Sequence, residues 1–187
     1  MRPIDHATLA ILATASLTLV SCGDSPSKSA LAKVIDEHNL ETYDPICWMV
    51  ERKPAQLPLT IGLTQSPAQD PILDGLGRSG LITAKIGKQG MFGAEWTIAL
   101  TDAGSSAGVW DENKGFCIGQ RRVHEVIRWT EPTQGRTATY IEVTYTWQLE
   151  DRPKWVTPEM FPGVEGMVEP VESSITLVKT SDGWRPD

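Results

Sequence analysis

Residues 139–149 alternate strictly. Ile141, Val143, Tyr145, Trp147 and Leu149 fall on one parity, and Tyr140, Glu142, Thr144, Thr146 and Gln148 on the other. Successive side chains of an extended strand point to opposite faces, so this segment reads as a long strand with one dry face and one wet face. A sheet with a single apolar face belongs to an antiparallel architecture and needs a cover on that face. Further strands are predicted over residues 81–86, 95–100, 115–129 and 173–180, separated by clusters of Gly, Pro, Asn and Asp. Pro132 and Gly135 mark the loop that joins residues 121–130 to the alternating strand as an antiparallel pair. An Asp182-Gly183 turn brings the chain back before Trp184.

The N-terminal part supplies the cover. Leu31, Val34, Ile35 and His38 recur at i, i+3, i+4 and i+7 behind Ser29, a candidate cap, which predicts a helix over residues 29–40. Residues 46–50 are an apolar run of strand length, and Pro54 and Pro58 make the short strand at 59–63 a loop or a sheet edge. Asp70-Pro71 is a cap followed by a first-turn proline. Ile72, Leu73 and Leu76 then share a helical face until Gly80 can close the end in the left-handed conformation. Residues 155–171, rich in Pro and Gly, read as a long loop interrupting the sheet. The expected fold class is α+β, with short N-terminal helices packed on a twisted antiparallel sheet, in a single domain spanning residues 31–187.

Upstream of that domain, an uncharged apolar run over residues 7–20 follows Arg2 and ends in Leu19-Val20-Ser21-Cys22. The run is too short to span a bilayer and has the length of a secretory signal core. The four closing residues resemble the lipobox of bacterial lipoproteins; the alternative is an ordinary buried Cys in an uncleaved helix. The resemblance implies a signal peptide at 1–21 and palmitate-type acylation of Cys22, the membrane partner then being reached through lipid. With Gly23 rather than Asp after the Cys, it also implies an outer-membrane address facing the periplasm, which Asp24 weakens. Two or three acyl chains make a durable anchor where one would be marginal. Residues 22–30 are small, polar and Pro-containing, the composition of a flexible tether.

Removing residues 1–21 takes away one Arg and one Asp, so the net charge of −7 is retained. An acidic domain is a poor partner for nucleic acid or anionic headgroups. With Cys22 committed to lipid, Cys47 and Cys117 remain as a pair in an oxidising compartment, where a disulfide is the default. Two buried thiols are the alternative; a nucleophile or metal site has no Cys-x-x-Cys or Cys-x-His spacing behind it.

Chemistry-bearing motifs are sparse. His38 lies on the apolar stripe of the first helix and reads as structural. His124 and Glu125 are strand neighbours expected to point apart, which argues against an acid–base dyad. Asp111-Glu112-Asn113 reads as a solvated turn. The sequence has no nucleophile elbow, phosphate loop, dinucleotide fingerprint or zinc-peptidase helix. No catalytic residue, metal ligand or cofactor is assigned.

Seven tryptophans are many for this length, and Trp96, Trp129, Trp147 and Trp155 fall on or beside predicted strands. They read mainly as core. The sharper expectation is an exposed aromatic surface for a protein partner, built from Trp155, Tyr140 and Phe161 with the proline-rich loop.

The stretch Gly115-Phe116-Cys117-Ile118-Gly119, with Trp129-Thr130-Glu131-Pro132, Val143-Thr144-Tyr145-Thr146 and Asp151-Arg152-Pro153-Lys154-Trp155, resembles the CpmJ-like family of small uncharacterised bacterial proteins. That resemblance covers the 115–155 region and implies a shared sheet without a mechanism. The closing Leu177-Val-Lys-Thr-Ser-Asp-Gly-Trp184 resembles the last hairpin of cystatin-like periplasmic domains.

The expected function is therefore that of a lipid-anchored periplasmic binding or accessory lipoprotein. The alternatives are a small envelope hydrolase with dispersed carboxylates and His124, or a carrier of a small apolar ligand.

Overall fold

The computed structural model describes residues 26–52 and 55–187. The apolar run at residues 7–20, read as a signal core, and Cys22 lie outside the described residues. Among the described residues the chain forms three helices: α1 (Lys28–Thr42), α2 (Pro71–Arg78) and α3 (Asp102–Ser106). Nine strands accompany them: β1 (Ile46–Trp48), β2 (Leu59–Leu63), β3 (Ile82–Gly90), β4 (Gly93–Leu100), β5 (Phe116–Trp129), β6 (Thr133–Gln134), β7 (Thr139–Glu150), β8 (Val171–Thr180) and β9 (Gly183–Pro186). This is an α+β fold made mostly of strands.

Two antiparallel sheets divide the strands. The larger has the order β1-β5-β7-β8-β9, with β6 beside β7, and it curls as a half-barrel; the smaller has the order β2-β4-β3. Strand β7 behaves as its alternation demands, because Ile141, Val143, Tyr145, Trp147 and Leu149 are all buried. Pro132 and Gly135 do sit in the connection between the antiparallel pair β5 and β7.

Strand β5 departs from simple alternation. Val123 pairs with Trp147 and Glu125 with Thr146, then Val126 pairs with Tyr145 and Arg128 with Thr144. His124 and Ile127 are thus the extra residues of two β-bulges, each adding one residue without a partner. Across the ladder from the dry face of β7 stand Arg121, Val123, Val126 and Trp129, spaced by three at both bulges rather than by two. The expectation that His124 and Glu125 point apart rests on strict alternation, which fails here.

Helix α1 fills the concave side of the large sheet, packing on β5 and β9. Leu31 and Ile35 are fully buried against Val126, Ile141, Val143, Tyr145, Trp147 and Leu177. The cap is Ser27, whose Oγ accepts from the Ala30 amide at 3.2 Å; Ser29 falls in the first turn, and residues 28–30 of the expected tether are already helical. One turn along from Ile35 the buried residue is Asn39, while His38 is half-buried with Nδ1 3.3 Å from Thr42 Oγ1.

At the first bulge the Val123 amide donates to Asp36 Oδ1 at 2.7 Å. A charged acceptor at a backbone donor in a partly buried setting is among the stronger hydrogen bonds. Asp36→Ala is expected to cost about 1.5–3 kcal/mol in urea unfolding. Glu37→Ala, which removes an exposed i,i+4 ion pair of 3.8 Å with Lys33, should cost far less. Equal losses in the two variants would show that Asp36 does not hold the bulge.

The second core lies where β1 and the start of β5 meet the small sheet. Phe116, Ile118 and Leu149 pack there with Ile61, Leu73, Leu76, Leu81, Ile82 and Ile98, and with Val156, Met160, Phe161 and Met167 from the long loop. Helix α2 starts as the sequence requires, with Asp70 Oδ1 accepting from the Ile72 and Leu73 amides at 2.9 and 3.0 Å. Beyond its end Gly80 takes φ +69°, the left-handed conformation that glycine adopts at no steric cost. Strand β2 is an edge of the small sheet, as its flanking prolines suggest.

Candidate functional site

Cys47 and Cys117 face each other across β1 and β5 and form a disulfide. The three aromatic residues expected to share a partner surface are not gathered. Tyr140 is half-buried at the start of β7, opposite Val178 of β8 and Thr133 of β6. Trp155 is half-buried at the other end, its ring centroid 6.1 Å from Phe116 and 6.2 Å from Phe161. Phe161 is only 3% exposed, too little surface to engage a partner. Trp155 and Phe161 are thus wall and content of the second core. None of the seven tryptophans is classed as exposed, which is the core reading of their number.

The groups considered for catalysis are equally dispersed. His124 is exposed on its bulge, while the carboxylate of Glu125 is held by Lys28 at 3.0 Å. Asp111 Oδ1 accepts from the amides of Asn113 and Lys114 at 2.8 and 2.9 Å, closing a local turn of the kind Asp forms with its own backbone. Among the described residues no group of three His, Cys, Asp or Glu side chains is placed to hold a metal ion.

Two groups titrate away from their usual range, both at the surface. The Asp44 carboxylate, hydrogen-bonded at 2.7 Å, holds the Lys114 ammonium above the ordinary lysine value. The Thr157 hydroxyl and a backbone amide hold the Glu159 carboxyl below the ordinary glutamate value. Neither lines a cleft of about 500 Å³ whose walls include Val109, Cys117, Gln120, Lys154 and Trp155. Asp111 and Asp151 also line that cleft, but Asp111 Oδ1 is taken up by its own turn and the Asp151 carboxylate is paired with Arg122 at 3.0 Å. The cleft therefore presents one uncommitted ammonium and no converging acid and base.

The feature that departs from a satisfied surface is the β3–β4 hairpin. Gly90 pairs with Gly93, so Met91 and Phe92 alone form the turn, and they are 91% and 86% exposed. Two-residue hairpin turns favour Gly, Asn or Asp at their centre because the strand twist asks for positive φ there. Here neither central residue has positive φ; Gly93 has it instead, at +140°. A Cβ on Gly93 would also stand 2.3 Å from the Leu63 carbonyl oxygen, so the turn is seated directly on β2. Two large apolar side chains are thereby held out into water on a short turn packed against β2.

The apolar face of the small sheet continues toward this tip. Ile86 pairs with Trp96, which pairs with Ile61, and Ala94 pairs with Leu63. Ile61 is buried, but Leu63, Ala94 and Trp96 are half-buried and Ile86 is 49% exposed. The dry face therefore runs out past the body of the molecule as a ledge, ending at Met91 and Phe92. A groove of about 490 Å³ lies at this tip, lined by Leu63, Lys88, Gln89, Met91, Phe92 and Glu95 among others. Contiguous exposed apolar surface of this kind on a rigid element marks an interaction site more often than a solvated one.

Sequence reasoning passed over this hairpin. The signal was present in Gly90-Met91-Phe92-Gly93: a turn flanked by glycines with two large apolar residues where polar ones are the rule. No known protein family, curated protein or solved structure matches the chain.

Proposed function

We propose that this chain is a lipid-anchored binding protein of the bacterial envelope, non-catalytic, held to the outer membrane through Cys22 and engaging a protein partner through the β3–β4 hairpin. The observation that carries the binding reading is the near-complete exposure of Met91 and Phe92 on a turn pinned to β2. An exposed anchor on a rigid element loses little entropy on docking, which is what concentrates interface energy in a few residues. The address rests on the lipobox at residues 19–22 and is supported by the Cys47–Cys117 bridge, since disulfides persist in oxidising compartments. The hydrolase alternative draws no support from His124, whose neighbour Glu125 is engaged by Lys28. The carrier alternative would need an enclosed apolar cavity, whereas the cleft of about 500 Å³ beside Cys117 is open and partly charged.

The test is made in living cells with a photoreactive amino acid at the exposed position Gln89. Irradiation should give a discrete protein adduct that disappears in the Met91→Ser/Phe92→Ser background. A probe at Arg136, on the β5–β7 connection, should give none. The double variant should melt within about 2 °C of the parent, because exposed substitutions away from packed features are nearly neutral. No adduct at 89, or one indifferent to the loss of Met91 and Phe92, would remove the hairpin as the binding surface. The anchor is read separately, from acyl mass on the peptide beginning at Cys22 and from loss of membrane association in Cys22→Ser.

A further inference from the structure

The outer edge of β3 is unpaired among the described residues, since the small sheet ends there. From Thr83 to Gly90 every residue of this strand is exposed. The first half of the strand is regular, with residues 82 to 86 in unbroken register on β4; a bulge follows before Gln89. A regular, exposed edge is a row of backbone donors and acceptors ready for another strand.

The edge strand itself carries only basic charge. Residues 75–94 contain Arg78, Lys85 and Lys88 and no Asp or Glu, in a chain whose net charge is −7. Glu95 of the neighbouring strand β4 lies on the face of Thr97 and Lys85, its side chain against Gly87 of β3, and forms an ion pair with neither lysine. Lys85 pairs across the ladder with Thr97, on the face where Thr60 and Thr97 share a hydrogen bond of 3.0 Å. Ala84 and Ile86 lie on the opposite, apolar face with Ile98 and Trp96. The regular half of the edge therefore offers Lys85 on one face and Ala84 and Ile86 on the other, and Lys88 adds a second ammonium at the bulge.

We propose that β3 captures an extended segment of a partner protein whose side chains alternate acidic and apolar, added as a fourth strand to the small sheet, with Met91 and Phe92 gripping its apolar side. Main-chain hydrogen bonds supply the affinity in strand addition, and alternate side chains supply the choice of partner. Acidic residues of the incoming strand meet Lys85 and Lys88, while its apolar residues extend the face of Ala84 and Ile86. A second copy of this chain is a poor occupant, because pairing β3 with itself gathers four ammonium groups on one small sheet. A bilayer is a poor occupant as well, since unpaired edge amides are not satisfied by hydrocarbon. The lysines and the bulge keep the edge from pairing with neutral strands at large. This inference rests on the binding reading above and adds the class of ligand.

Hydrogen–deuterium exchange on the full acylated chain in detergent tests it, with synthetic peptides as probes. A peptide alternating Glu and Val should slow exchange of the amides at 82–90. A Lys/Val peptide of the same length should bind about tenfold more weakly, the effect of two favourable cross-strand charge pairs. In Lys85→Glu/Lys88→Glu the order of the two peptides should reverse; Lys88→Gln, a milder change, should narrow the gap. Equal protection by both peptides overturns the proposal, as does absence of protection at millimolar Glu/Val peptide. Protection at 82–90 without peptide in a self-associated sample overturns it in favour of a second copy. Protection at 91–92 by phosphatidylglycerol vesicles, with none from the Glu/Val peptide, overturns it in favour of lipid. Absence of the photoadduct at position 89 in cells counts against the binding reading itself, whereas an adduct without a peptide footprint counts only against strand addition.

Discussion

Phe116→Ala is expected to destabilise the domain by about 3–5 kcal/mol, the range for truncating a fully buried aromatic residue. At about 2–4 °C per kcal/mol for a domain of this size, the melting temperature should fall by roughly 6–20 °C. The magnitude follows from its neighbours. Phe116 is completely buried, set edge-on to Trp110 at 4.7 Å and within 6.1 Å of both Trp48 and Trp155. Those rings hang on β1, on the segment after α3 and on the long loop before β8, so three separate stretches of chain lean on one side chain. They cannot collapse together into the space it leaves without moving the backbone of each. Phe92→Ala deletes the same atoms from a position 86% exposed and should change stability by less than about 0.5 kcal/mol. Similar losses from the two variants in differential scanning calorimetry would refute both the central place of Phe116 and the solvent-facing place of Phe92.

Removal of the Cys47–Cys117 bridge is expected to cost a similar amount by a different route. The cysteines are 70 residues apart, and releasing a loop of that length restores entropy to the unfolded chain worth about 4 kcal/mol. The bridge closes over β2, α2, the β3–β4 hairpin and α3, so it confines the whole small sheet in the unfolded ensemble. A Cys47→Ala/Cys117→Ala variant should melt roughly 8–16 °C lower. Adding reductant to the parent should shift the transition likewise, with no further shift in the variant. A loss under about 1 kcal/mol would mean that the unfolded chain already holds these segments together without the bridge.

The contrast between β7 and β5 shows how far the sequence was legible. In β7 nothing interrupts the period of two, and each of its five apolar positions is buried. In β5 the dry positions Val123, Val126 and Trp129 recur every third residue, because bulges absorb His124 and Ile127. A spacing of three is a helical signal, so although residues 115–129 read as a strand, the two bulges and the faces they set appear only through pairing with β7. Helix α2 was readable to its cap because Asp70 and Pro71 act locally. The division into two sheets was not, because alternation says which face of a strand is dry and nothing about which strand lies beside it. Helix α3, five residues long and capped by Thr101 on Gly104, has no apolar stripe to betray it.

The candidate site was hidden for a related reason. Aromatic residues attracted attention at Trp155 and Phe161, yet both are drawn inward by Phe116 and its neighbours. Tyr140 sits apart from them. Exposure at Met91 and Phe92 depends on the hairpin projecting beyond the body of the molecule, which composition does not state, although the absence of polar residues from the turn does mark it.

The doubled irregularity in β5 carries a last consequence. His124 and Ile127 occupy steps that the ladder skips, so every residue after Ile127 keeps its face only because two insertions are present. A chain lacking one of them would turn Trp129 outward and expose the dry side of the strand end, while a chain lacking both would restore the original parity with a straighter strand. Length variation along this strand should therefore be tolerated in pairs, and the curvature that cradles the first helix would be what such a pair trades away.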